Sequence, residues 1–456
     1  MGGKLDLEAS STPGLGDSSY LLASGAEAVI VDPQRDVRRM LDVAEGRSLR
    51  IRYVLETHVH NDYVSGALEV RAATGATIAG PAAAGYAFHF LPLEDGSELR
   101  VGDLALVALQ TPGHTPEHTS YVVRAPDDAD PLAVFSGGSL MVGSAGRTDL
   151  LGPELARDLV RAQFRTMRRF AAMPDPTLLL PTHGAGSFCA TAPPGEARTS
   201  TIGRERGSNP ALAAQDEETF AREQLSGLMA FPAYYAHMAP INRAGPHVVG
   251  DVPLPRPLGP EAVSLHMERG ARLVDARDGA AYAAAHVPWS LNCPMADTFA
   301  SYVGWVVPFG TPLILLADDG PARAEAAVQL FRIGFDDVPG YLDGGMDAWI
   351  ASGRPTRSYP VATLDDLIGE ARLGGRAILD VRQRNEWEEG HLPGSRHTFV
   401  GDLPRRIHEL LGLDTVMVAC ATGYRAAIAA SMLDAVDVPV RLVARDGVPA
   451  ALRGLG

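Results

Sequence analysis

Apolar and polar positions alternate with two different periods along the first 200 residues. YLLASGAEAVIVDP (Tyr20–Pro33) carries two apolar runs either side of Gly25, which predicts a β-hairpin turning there. DVRRMLDVAEGRS (Asp36–Ser48) spaces its apolar residues as a helix does, and IRYVLETH (Ile51–His58) is a strand ending in a polar cluster. A second β block follows at Leu99–His114, His118–Ala125 and Leu132–Gly138. A helix over Pro153–Met173 and the strand Thr177–His183 close the set. Histidines and other polar residues sit where these strands end, the usual place for chemistry in α/β folds.

From Thr201 to Arg256 the texture changes. DEETFAREQLSGLMA predicts a helix with Asp216 as its N-cap, FPAYYAHMAPINRAGP is aromatic and interrupted by proline, and DVPLPRPLGP reads as a linker. The remainder repeats itself. LVDARDGAAYAAAHVPWS (Leu273–Ser290) matches ILDVRQRNEWEEGHLPGS (Ile378–Ser395), with Asp275/Asp380, Arg277/Arg382, Tyr282/Trp387, His286/His391 and Pro288/Pro393 all 105 apart. Each copy continues with a strand–loop–helix pattern, PLILLADDGPARAEAAVQLF in the first and DTVMVACATGYRAAIAASML in the second. The predicted organisation is 1–200, an α/β domain; 201–255, a helical extension and linker; 256–356 and 357–456, two related α/β domains.

Length and composition agree with this division. At about 150 residues per domain, 456 residues make about three. Forty basic against fifty-five acidic side chains leave a net charge of −15, which gives no electrostatic reason to bind nucleic acid or an anionic membrane. Three cysteines cannot build a disulfide framework. No apolar run is long enough for a signal peptide or a membrane span, so the expectation is a soluble, cytoplasmic protein. Homo-oligomerisation stays open.

Candidate chemistry lies in two places. THVHNDYVSG puts His58, His60, Asp62 and Tyr63 in the loop after one strand, TPGHT puts His114 after another, and PTHG puts His183 after a third. Imidazoles converging from strand ends can share one metal ion. His89, His118, His237 and His247 read as surface or structural residues.

These motifs resemble the metallo-β-lactamase superfamily, whose signature is T-H-x-H-x-D-H followed by P-G-H-T and T-G-D. VFSGGSLMVGSAGRTDL further resembles the persulfide dioxygenases. The resemblance implies an αββα sandwich. Two positions depart from it: Tyr63 replaces the last histidine of the signature, and Gly138 replaces the carboxylate ligand of T-G-D. A two-zinc hydrolase needs both, so the second metal position is expected to be weak or missing. The dioxygenases hold one Fe(II) on two histidines and that carboxylate. Carried over, His58 and His114 are the histidine ligands. His60 can complete a three-histidine face in place of the carboxylate, Asp62 is a further candidate, and Tyr63 and His183 lie beside the ion. Fe(II) is the expected metal; zinc fits the same imidazoles but has no redox chemistry to offer oxygen. Arg147 is a candidate to steer an anionic thiol substrate or to be an ordinary ion-pair partner, and the resemblance suggests that Tyr234 and Tyr235 line a substrate tunnel, with plain packing as the alternative.

The second place is CATGYR (Cys420–Arg425), between a strand and a helix. A short loop ending on a helix N-terminus aims several N–H groups at one point, which favours a thiolate at Cys420 and steadies the terminal sulfur of a persulfide. This copy resembles the rhodanese family, with the D-V-R-x-x-x-E-W-x-x-G-H-L-P-G-S motif at Asp380–Ser395, Cys420 as sulfur carrier and Arg425 as its electrostatic partner. The first copy is aligned with Asp318 in place of Cys420 and is expected to be inactive, a spacer or docking surface. Cys189 and Cys293 are expected to be packed thiols.

The order of domains resembles bacterial persulfide dioxygenase–rhodanese fusions. That implies oxidation of a low-molecular-weight thiol persulfide by O2 to sulfite, with sulfane sulfur passing through Cys420 to give thiosulfate. Two alternatives remain: a sulfurtransferase whose front domain is a metal-free scaffold, and a metal-dependent thioester hydrolase.

Overall fold

The structure is a computed structural model that describes residues 5–126, 128, 130–184, 186–191, 197–226 and 228–455. The chain divides into two compact units. One comprises the residues up to Phe231 with Tyr235–Val252 and Arg332–Gly334, and the other takes in most of the chain from Pro253 on.

In the first unit the hairpin turns at Gly25 as predicted, with Asp17–Ser24 antiparallel to Glu27–Val31. These strands belong to a six-stranded sheet that starts at Asp6–Thr12 and continues in parallel through Arg50–Leu55, Thr77–Pro81 and Leu91–Leu93. A second six-stranded sheet orders its strands Ser200–Thr201, Leu178–Pro181, Ala133–Gly137, Thr119–Arg124, Leu104–Gln110 and Glu98–Val101. Period-two alternation decides what each strand buries. Tyr20 and Leu22 point between the sheets, with Phe135, Tyr121 and Leu180 in the same core. Leu21 and Ala23 point the other way, onto Met40 and Leu41 of the helix Arg38–Gly46. The outer face of the second sheet is covered by the helix Pro153–Ala171 through Val160, Met167 and Phe170. Two sheets between two helical layers make an αββα sandwich.

Asp216 caps the helix Glu217–Leu225, its carboxylate accepting from Thr219 N–H, as expected. Two readings in this region change. The aromatic segment contains a helix, Tyr235–Ala244, that keeps Pro240 inside it. The linker ends in a strand, Arg256–Leu258, because this stretch pairs in parallel with Gly340–Leu342.

In the second unit the two copies have one topology. Their five-stranded parallel sheets run Arg256–Leu258, Gly340–Leu342, Leu313–Leu316, Arg272–Asp275, Leu291–Asn292 and Val361–Ala362, Val440–Val443, Val416–Ala419, Ile378–Asp380, Arg396–His397. The shared motif makes the same contacts in each. Arg277 pairs with Asp275 and Arg382 with Asp380, both with Nη2–Oδ2 at 2.6 Å. Tyr282 stacks on His286 at 4.0 Å and Trp387 on His391 at 3.9 Å. Among the described residues no helix is long and apolar enough to cross a membrane.

Candidate metal and sulfur-transfer sites

The metal candidates meet where the strands of the sandwich end. His58 and His60 follow Arg50–Leu55, His114 follows Leu104–Gln110 and His183 follows Leu178–Pro181. All four are buried. Ligand nitrogens of His58, His114 and His183 lie within 4.8 Å of one another, and His58 Nε2 faces His183 Nε2 at 3.3 Å. His114 Nδ1 is bonded to the Arg147 carbonyl at 2.9 Å, while its Nε2 is buried without a hydrogen-bond partner. An imidazole nitrogen stranded in this way, beside two others, suits a divalent metal ion. Burial holds His58 and His114 well below the ordinary imidazole range, and lowers His183 too, so these rings stay neutral, the form that ligates.

This group corrects the expected His58–His60–His114 face: His183 stands where His60 was expected. The reason is the environment of His60. Its Nε2 meets the Tyr63 hydroxyl at 2.9 Å, Glu56 at 3.1 Å and Asp32 at 3.3 Å. Against the pull of burial, the carboxylates of Asp32 and Glu56 raise its pKa well above the ordinary range. His60 forms groups with Asp32 and His58 and with Asp62 and His183, and its Nδ1 has no hydrogen-bond partner. Asp62 lies 3.4 Å from His183 Nδ1, and burial pushes its carboxyl up to about 7. Tyr63, where the signature has a histidine, stacks on His60 at 4.3 Å.

With the imidazoles where they stand, Gly138 leaves no room for a Cβ. A Cβ built on it would lie 2.3 Å from His114 Cδ2, 2.7 Å from His114 Nε2 and 2.9 Å from His183 Cδ2. The imidazoles fill the space that a side chain at 138 would need.

Several supporting residues escaped the sequence reading. Asp17 accepts from His183 Nδ1 at 2.7 Å, which turns Nε2 toward the cluster. Asp32 accepts from Thr57 N–H and Oγ1, both at 2.7 Å, and from Thr182. His118 is buried beside the site: its Nε2 accepts from Gly138 N–H at 3.0 Å, and burial pushes it down to about 3. Asn242, on the helix Tyr235–Ala244, donates to the carbonyls of His60 and Tyr63 and accepts from Ser65 N–H, all at 2.9 Å, clamping the histidine loop. Only the pairing of chain-distant strands brings these residues in.

The Arg147 guanidinium is held by protein partners. Its Nε and Nη2 donate to Asp149 at 2.7 and 2.6 Å, and its Nη1 to the carbonyls of Phe188 and Met229. It is buried and fastens these loops together. Tyr234 and Tyr235 are buried as well, the latter with its hydroxyl 4.0 Å from Cys189 Sγ.

In the second unit, Cys420 immediately follows the strand Val416–Ala419, and Gly423 N–H donates to its Sγ at 3.1 Å. Gly423 holds φ +99, and a Cβ there would run into the Ala444 carbonyl, so the turn that delivers this N–H requires glycine. Arg425 forms a bidentate pair with Glu386, at 2.5 and 2.8 Å, that holds the guanidinium over the loop. The first copy contributes to the surroundings: Tyr302 packs edge-on against Tyr424 at 5.3 Å, and Cys293 Sγ is 3.6 Å from the Tyr424 hydroxyl. Burial pushes the Cys293 thiol up to about 12 and Cys189 well above its ordinary range, consistent with packed thiols.

The alignment of the first copy shifts by one residue. Leu316 pairs with Asp275 as Ala419 does with Asp380, so Ala317 occupies the place of Cys420, and the loop to Arg323 is one residue longer. Neither Ala317 nor Asp318 can accept a sulfane sulfur.

Comparison with known proteins agrees with this architecture. The sequence matches the metallo-beta-lactamase superfamily over residues 12–183 and the rhodanese-like domain over 259–352 and 361–446. It is 32% identical over 240 residues to a hydroxyacylglutathione hydrolase of Methylococcus capsulatus, covering 46% of this chain and 87% of that one. It is 32% identical to another of Cereibacter sphaeroides, covering 42% and 73%. A solved metallo-beta-lactamase from Staphylococcus aureus aligns over 75% of this chain and 99% of its own, with a TM-score of 0.67 and 28% identity. The chain belongs to the metallo-beta-lactamase superfamily. Behind that domain it carries two rhodanese-like domains, of which the second alone has a cysteine in the loop position.

Proposed function

We propose that this protein is a persulfide dioxygenase and sulfurtransferase. The observation that carries the reading is the Cys420 loop, complete with Gly423 N–H and the Arg425–Glu386 pair, in one chain with a histidine group suited to a single metal ion. In the transfer step the Cys420 thiolate attacks the outer sulfur of a low-molecular-weight thiol persulfide. The bond between the two persulfide sulfurs breaks, the thiol leaves with a proton, and a new persulfide forms on Cys420. Gly423 N–H and the helix N-terminus behind it stabilise the anionic sulfur. Sulfite then takes that sulfur as thiosulfate and returns the thiolate.

In the front domain His58, His114 and His183 would hold Fe(II), which when bound supplies the redox chemistry that O2 needs. Asp17 orients His183, the Arg147 carbonyl orients His114, and Gly138 N–H fixes His118 beside them. Oxidation of the persulfide to sulfite consumes one O2 and one water and releases the thiol.

The hydrolase reading draws on the names of the curated relatives. It is disfavoured because Tyr63 and Gly138 remove two ligands that a second ion would need. The missing carboxylate favours, as second reading, a sulfurtransferase with the front domain as scaffold. Anaerobic loading with Fe(II), followed by O2 uptake with glutathione persulfide, tests the proposal. Uptake with sulfite formation supports it, and no uptake by protein shown to hold iron refutes the dioxygenase. Hydrolysis of a hydroxyacylglutathione without O2 uptake would establish the third reading.

A further inference from the structure

In the first rhodanese-like domain a cavity of about 700 Å³ opens where the strands of the sheet begin, around Ala271–Arg272 and Thr311. The 317–323 loop lies at the other end of the strand Leu313–Leu316, so the cavity is not what remains of a catalytic loop. Its volume suits a small organic ligand, and most of its wall is apolar, including Trp289, Trp349 and Val307. Its basic residues are Arg272 and Arg354; Glu268, its acidic residue, is exposed.

Trp289 sets this wall apart. It holds φ +61, a left-handed conformation unfavourable for a bulky side chain, yet the residue is 62% exposed. The same turn 105 positions later has Gly394 at φ +74, where a Cβ would lie 2.0 Å from the Gly374 carbonyl. The second copy thus meets the left-handed turn with glycine and closes the space with backbone. The first copy puts the largest side chain at the same turn, where it lines the cavity. Strain with so little burial in return is a mark of a recognition surface. Arg272 Nη1 pins the turn by donating to the Trp289 carbonyl at 2.6 Å, and Arg354 Nε donates to Ser264 Oγ at 2.9 Å. Both arginines are half-buried, and among the described residues neither pairs with a carboxylate.

We propose that this cavity binds a small aromatic anion, its ring against Trp289 and its charged group on Arg272 and on Arg354, which lies over the Trp349 ring. The chain has four tryptophans, so full-length protein labelled with 5-fluorotryptophan should give four fluorine signals, with Trp289→Gly identifying one. The probes are 1-naphthoate, 1-naphthyl phosphate and the uncharged 1-naphthalenemethanol. The expected result is a saturable shift of the Trp289 signal, with at least one anion binding about tenfold or more tighter than the alcohol. The tighter of the two anions identifies the charged group. Trp289→Gly, which suits the left-handed turn, should unfold no earlier than wild type and bind that anion about tenfold or more weakly. An unmoved Trp289 signal, equal binding of the alcohol, or undiminished binding by Trp289→Gly would each overturn the proposal.

Discussion

Replacing Gly138 by alanine tests whether the histidines have closed over the position of the missing carboxylate. The new Cβ would sit 2.3 Å from His114 Cδ2 and 2.9 Å from His183 Cδ2, well inside contact distance. His114 cannot simply swing away, because its Nδ1 is tied to the Arg147 carbonyl and its ring packs on His58 at 4.9 Å. Overpacking of this kind costs about 1–3 kcal/mol. Loss of glycine's freedom in the unfolded chain returns about 0.4–1 kcal/mol, leaving a net destabilisation of about 1–2 kcal/mol. For a domain of this size that lowers the unfolding temperature by about 2–8 °C. Calorimetry of both proteins in chelator measures it. Gly138→Asp carries the same clash and adds a carboxylate that an ion can use. It should therefore unfold early without metal and bind zinc at least about tenfold tighter than wild type in a competition assay. A Gly138→Ala protein that unfolds at or above the wild-type temperature would refute the reasoning, since it would show that the imidazoles are not held in that space.

Other outcomes follow from the same geometry. Cys420→Ser should reduce sulfur transfer from thiosulfate to cyanide to background while leaving the unfolding temperature unchanged; surviving transfer would show that the nucleophile lies elsewhere. Asp17→Ala removes the acceptor that orients His183 and should weaken zinc binding about 10–100-fold, read by competition with a chromophoric chelator. His118 bears on acid stability. Burial takes its pKa from 6.5 to about 3, so its contribution is complete above pH 6.5 and is lost as the unfolded chain takes up a proton below that. The stability of wild type relative to His118→Gln, from urea unfolding, should therefore fall by about 1.4 kcal/mol per pH unit between pH 6 and pH 4. A difference that does not change with pH would contradict this.

The sequence makes some of this visible and hides the rest for physical reasons. The hairpin at Gly25 and the helix capped by Asp216 depend on local spacing and turn chemistry, and both could be read. The two copies could be matched because the motif from Asp275 and Asp380 makes the same ion pairs and ring stacks in each. The loop alignment slipped at Asp318 because Arg323 and Arg425 anchor it, while the strand register, set by pairing, places one more residue before Arg323. Asp17 and His183 stand 166 positions apart and meet only after both sheets form, so no spacing could announce them. His60 carried the right motif, but neighbouring carboxylates from Asp32 and Glu56 turned one of its nitrogens to other partners. Arg147 is an ion-pair partner, one of the two readings open to it, because Asp149 two residues away engages its guanidinium.

The helix Phe299–Val306 of the first copy is buried along its whole length, with Tyr302 against Tyr424 and Trp305 against Phe399 of the second. The terminal hundred residues are consequently a poor freestanding module. Excised at residue 357, they would expose the aromatic side chains that this helix shields, and self-association would compete with folding. The copy without a loop cysteine is thus not dispensable, and recombination that swaps in a new second copy would have to carry both halves together.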